Sequence, residues 1–162
     1  MENLLIHFNN EELLALAKKN FISTCGFELN KEKHQRMMKR AQEVFDAGIH
    51  TIDVNALISD YDGSCYNGSA IVINETEFKC DFFSKIPEKN VKKIYTYLVT
   101  VGECWFQSEE DIVNFLYADI WGTAFVDSAI NKIENHIKKD IISKYGNNPK
   151  DKYILSKPLG PG

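Results

Sequence analysis

The chain has 162 residues and a mass of 18.6 kDa, with 19 Lys and Arg against 23 Asp and Glu, a net charge of -4 and an isoelectric point near 5.6. Hydrophobic residues make up 44% and charged residues 26%, which excludes intrinsic disorder over most of the length. A general nucleic-acid binder needs a basic face, no run approaches the ~18 apolar residues of a membrane span, and Met1-Glu2-Asn3-Leu4-Leu5 lacks the basic start of a secretory signal. The expectation is a cytoplasmic domain with neither a nucleic-acid nor a membrane partner.

In chain order, Asn9-Asn10-Glu11-Glu12 predicts a first helix, with an Asn cap and acids at the positive end of the helix dipole. Leu13, Leu14, Leu16 and Ala17 give it an apolar side, and Gly26 marks a stop. Asn30 reads as the cap of a second helix over residues 31–47, with Met37, Met38, Ala41, Val44 and Phe45 at helical spacing. Alternation over residues 49–58 predicts a strand. Tyr61-Asp62-Gly63-Ser64 and Asn67-Gly68-Ser69 are turn chemistry. Residues 70–73 read as a short strand, residues 74–77 as a turn and residues 78–85 as a short helix.

Residues 93–101 form the clearest strand, Ile94-Tyr95-Thr96-Tyr97-Leu98-Val99-Thr100-Val101. Apolar residues on both faces place it centrally in a sheet. Ser108 and the acids behind it predict the start of a long helix over 108–145, with an apolar stripe from Ile112 to Ile141. Gly122 within that stripe points to close approach by another element. Tyr117, Trp121 and Phe125, at i, i+4 spacing, read as core or as a partner face.

Metal and nucleophile chemistry has no motif here. Cys25, Cys65, Cys80 and Cys104 lie far apart, without zinc-type spacing. They read as small buried or half-buried side chains. No base is motif-linked to Cys25 or Cys104, and Glu103 beside Cys104 opposes a thiolate. His7, His34, His50 and His136 are scattered, and no Gly-rich phosphate loop occurs. No catalytic residue and no metal ligand is assigned.

The fold class that follows is α+β: a small, mostly antiparallel sheet with packed helices and one long C-terminal helix. Residues 1–146 form the core and residues 147–162 a Pro/Gly-containing tail. The order of elements, with Cys25-Gly26-Phe27 before the second helix, Tyr97-Leu98-Val99-Thr100-Val101-Gly102 before the long one, and the run from Tyr117 to Asp127 within it, resembles the activation domain of cobalamin-dependent methionine synthase and the small stand-alone bacterial proteins similar to it. In that family a segment Arg-x-x-Pro-Gly-Tyr after the long helix binds S-adenosylmethionine. Its counterpart here is Ser156-Lys157-Pro158-Leu159-Gly160-Pro161-Gly162.

The resemblance implies S-adenosylmethionine binding by Ser156, Lys157, Gly160, Pro161 and Gly162. It also implies a corrinoid or methionine synthase partner that carries the cobalamin, and a role assisting reductive methylation of that cofactor. Two departures stand out. Pro158 occupies the position of the family's Arg, and Lys157 beside it lacks a planar, bidentate guanidinium. The sequence also breaks off where the family's tyrosine would follow. Both motivate an alternative expectation, a non-catalytic protein-interaction module of the same fold.

Overall fold

The amide of Glu11 donates to Asn9 Oδ1 at 3.0 Å, the expected cap, and the helix behind it (α1) runs over Asn10–Thr24. It belongs to a computed structural model that describes residues 3–105 and 111–146. The elements in order are β1 (Asn3–His7), α1, α2 (Glu32–Gly48), β2 (Asn55–Asp62), β3 (Ala70–Ile73), β4 (Thr76–Lys79), β5 (Lys93–Thr100) and α3 (Ile112–Tyr145). This is an α+β arrangement with a three-stranded sheet in the order β1-β2-β5 and a separate two-stranded sheet, β3-β4. Among the described residues no helix is long and apolar enough to cross a membrane.

The chain divides into two units. Among the described residues, one comprises 4–58, 97–105 and 111–136, the other 3, 59–96 and 137–146. The first holds the main core, in which Leu13, Ala17 and Phe21 of α1, Ala41, Val44 and Phe45 of α2, Val54, and Tyr117, Trp121, Phe125 and Ala129 of α3 are all buried. Trp121 stacks on Phe21 at 4.2 Å between ring centroids and tilts against Phe45 at 4.6 Å. Its indole N–H donates to Ala41 O at 2.9 Å, which satisfies the one polar atom the ring buries. Tyr117, Trp121 and Phe125 are therefore core, and the alternative partner face does not exist on that side of α3. Ser128 is buried among them, its hydroxyl shared between Ala124 O at 2.7 Å and Asn20 Nδ2 at 3.2 Å.

The second unit contains a tight hairpin. β3 and β4 pair antiparallel, with Ile73 opposite Thr76. Asn74 and Glu75 between them have φ of 46° and 67°, the two left-handed residues that a two-residue hairpin turn requires. Tyr66 and Phe83 meet edge to face at 6.2 Å. The Tyr66 hydroxyl is directed at the carbonyls of Phe83 and Ile86.

Several elements differ from expectation. Residues 49–51 form a single 3-10 turn and not the start of a strand, because the Thr51 hydroxyl and the Ile52 amide both close back, onto Gly48 O and Ile49 O. β2 instead continues to Asp62. Residues 78–85 split between β4 and a 3-10 turn over Phe83–Lys85; the hairpin turn at Asn74-Glu75 carries the chain straight back into pairing. Asn30 does not cap α2. That helix starts two residues later, without a side-chain cap, and Gln35 Nε2 reaches Leu29 O at 2.8 Å. β1 lies where the sequence pattern predicts no strand; it gains its ladder from β2. β5 is an edge strand, with β2 at the centre.

Ser108 and the expected first turn of the long helix lie outside the described residues. Where the helix is described, the Asp111 carboxylate accepts from the amides of Val113 and Asn114 at 2.9 and 3.1 Å. A Cβ on Gly122 would meet Val101 at 3.7 Å, an ordinary contact. The tight approach is at Gly48 instead, where a Cβ would fall 2.1 Å from the Trp105 ring.

Candidate functional site

Ser156, Lys157, Gly160, Pro161 and Gly162, the residues expected to bind S-adenosylmethionine, lie outside the described residues. Within the described ones, three arrangements have the chemistry or the exposure to be considered.

The first is a polar network in the unit that contains the hairpin. Lys93 Nζ of β5 pairs with Asp60 Oδ2 of β2 at 2.5 Å, with both side chains largely buried. The Tyr95 hydroxyl of β5 donates to Asp140 Oδ2 of α3 at 2.8 Å, and Lys144 Nζ approaches the same oxygen at 3.0 Å. Burial, the hydrogen bond to Asp140 and the surrounding acids push the Tyr95 phenol well above its ordinary range. The hydrogen bond to Asp60 pushes Lys93 upward. A catalytic amine or phenol base needs the reverse, a pKa drawn down toward neutrality. This network holds its protons, so its chemistry is that of a structural clasp.

The second comprises two concavities. A wide depression of about 490 Å³ is bordered by Gly63, Ser64, Tyr66, Pro87, Glu88, Lys89 and Val91. A smaller one of about 170 Å³ lies among Arg40, Glu43, Val44 and Asn114. In the latter the Arg40 guanidinium is engaged by Asn114 Oδ1 at 3.0 Å and Asp111 Oδ2 at 2.8 Å. Among the described residues no group of three or more His, Cys, Asp or Glu could hold a metal ion. Cys25, Cys65 and Cys80 are half-buried, Cys104 is exposed, and burial pushes the Cys25 thiol up, away from thiolate chemistry.

The third is the outer face of the three-stranded sheet. The Phe8 amide donates to Val54 O at 2.9 Å and the Ser59 hydroxyl to Asn3 Oδ1 at 2.8 Å, so β1 and β2 run antiparallel. Counting back three residues from Phe8 and forward three from Val54 brings Leu5 level with Leu57. Ala56 and Ile58 are buried on the core side and Leu57, between them, points away, 40% exposed. Val99 of β5 packs against the core, which turns its neighbour Leu98 outward, 64% exposed. Leu5 is 59% exposed. Three leucines on three adjacent strands thus face away from the core on one side of the sheet.

Strand alternation held the signal for Leu57, since it sits out of phase with Val54, Ala56 and Ile58. For Leu98 the signal was hidden, because the apolar run of β5 reads as occupied on both faces. No family model, no curated protein and no solved structure matches the chain.

Proposed function

We propose that this chain is a non-catalytic protein-interaction module whose contact surface is the outer face of the β1-β2-β5 sheet. The observation that carries the reading is the alignment of Leu5, Leu57 and Leu98 on that face. A half-solvated antiparallel sheet places polar residues on its wet side. Single exposed leucines are common, whereas a contiguous row of them marks a surface that is covered in use. The test is a photo-crosslinking amino acid at position 98, irradiated in the native host, beside the same group at position 127 of α3, which is also exposed. An adduct from position 98 and none from position 127 is expected. Failure of position 98 to give any protein adduct would refute the reading.

The order of elements supports a second reading, assistance to a cobalamin-dependent methionine synthase. Two helices, a strand, a hairpin, a strand and a 34-residue helix follow one another, the order on which the resemblance to the activation domain rests. In this reading Ser156, Lys157, Gly160, Pro161 and Gly162 bind S-adenosylmethionine, and a corrinoid protein in the cytoplasm carries the cobalamin. Calorimetric titration of S-adenosylmethionine into the chain tests it. Saturable binding that weakens in Lys157→Ala is expected, and the absence of binding would remove it.

A further inference from the structure

We propose, independently of what the chain binds, that His34 is a pH-sensitive latch on the connection between α1 and α2. The connection runs from Cys25 to Lys31, and α2 starts without a side-chain cap. Instead, two side chains of its first turn fold back onto the connection. Gln35 Nε2 donates to Leu29 O at 2.8 Å, and the Glu28 amide donates to His34 Nδ1 at 2.9 Å. A ring nitrogen accepts a hydrogen bond only while it carries no proton. This bond therefore requires the neutral imidazole with its proton on Nε2.

Protonation turns this acceptor into a donor, so that two N–H groups face each other. Histidine is the side chain that makes such a change between about pH 5 and 8. The surroundings oppose the added charge. His34 sits in the first turn of α2, at the positive end of the helix dipole, beside Lys33. The two carboxylates near it in the chain already have cations: Lys31 reaches Glu28 at 2.7 Å and Arg36 approaches Glu32 at 3.7 Å. The Phe27 ring, 5.8 Å from the imidazole between centroids, offers a cation its face, a gain outweighed by the lost bond and the dipole together. Behind Phe27 stand Phe21 and, on α3, Tyr117. Burial pushes the Tyr117 phenol and the Cys25 thiol upward, so both stay uncharged over this range.

What the latch governs is Phe27. That ring is buried, packs edge to face on Phe21 at 6.2 Å and has the imidazole against it. The Phe27 amide is held separately, by Ile22 O at 3.0 Å, a bond with no titrating group in it. Release of Glu28 thus loosens the middle of the connection and uncovers Phe27, while the bonds at Phe27 N and Leu29 O keep either side anchored.

The test is amide hydrogen exchange of the full chain, followed by NMR at about pH 7.5 and about pH 5.5, each rate divided by that of an unstructured amide at the same pH. Protection of the Glu28 amide should fall by about fivefold or more on acidification, the worth of one hydrogen bond, while that of Phe27 holds. In His34→Gln, whose side-chain oxygen is an acceptor at both pH values, Glu28 should show the same protection at both. Ring nitrogen shifts should report the Nε2–H tautomer for His34 at the higher pH. Glu28 protection that does not change in the wild type, a parallel fall at Phe27, the same fall in His34→Gln, or the Nδ1–H tautomer each overturns the inference.

Discussion

The indole N–H of Trp105 donates to Val44 O at 3.0 Å, and the same ring lies over Gly48 one turn further along α2. A Cβ at Gly48 would stand 2.1 to 2.2 Å from three atoms of that ring. Glycine at the end of α2 is thus the space the indole occupies. Alanine in a helix normally gains about 1 kcal/mol over glycine, but here overpacking opposes it at about 1–3 kcal/mol. Gly48→Ala should therefore destabilise the chain in urea unfolding. In a Trp105→Ala background the same change should stabilise it by about 0.5–1 kcal/mol. Equal effects in the two backgrounds would show that the ring is not the cause.

Glu75 offers the opposite case. It is a non-glycine residue at φ 67° in the second position of the β3-β4 turn, where glycine is preferred after asparagine. Glu75→Gly should raise the stability of the chain by on the order of 0.5–1 kcal/mol, read as a higher melting temperature. A lower melting temperature would mean that the Glu75 side chain contributes more than its backbone costs.

The clasp around Asp140 predicts an alkaline limb. Tyr95 and Lys93 both hold their protons more tightly folded than unfolded. Their contribution is complete below about pH 10, near the ordinary tyrosine range, and is lost as pH rises through the folded-state values. Tyr95→Phe should cost about 1 kcal/mol near neutrality, the worth of a hydrogen bond, and should flatten the fall in stability above about pH 10. Urea midpoints as a function of pH check this; an unchanged alkaline slope in Tyr95→Phe would count against it. Asp111 acts in the opposite sense. The Asn114 amide, then the Val113 amide and Arg40, hold its carboxyl low, so its contribution is present at neutral pH and lost as pH falls.

Trp121 is fully buried between Phe21 and Phe45. Trp121→Ala should cost about 3–5 kcal/mol, the largest effect of these substitutions. Trp121→Phe should cost less, because a ring remains to stack and only the bond to Ala41 O is lost. Equal losses for the two variants, measured by urea unfolding, would show that the ring contacts are not what matters there.

Local chemistry decided a good part of this protein. The Asn9 cap with Glu11 behind it, the apolar spacing of α2, the β-branched and aromatic run of β5 and the stripe of α3 act within a few residues, so α1, α2, β5 and α3 were legible before any tertiary contact was known. So was the α+β class with its small antiparallel sheet. What the chain alone left open depends on residues distant in sequence. β1 exists because β2 supplies its ladder, and β5 is an edge because β2 takes the central place. Trp121 is core because Phe21, 100 residues earlier in the chain, and Phe45, 76 residues earlier, close around it. The row of Leu5, Leu57 and Leu98 is of the same kind. Each leucine is an ordinary strand residue in sequence, and strand pairing alone brings the three onto one exposed face.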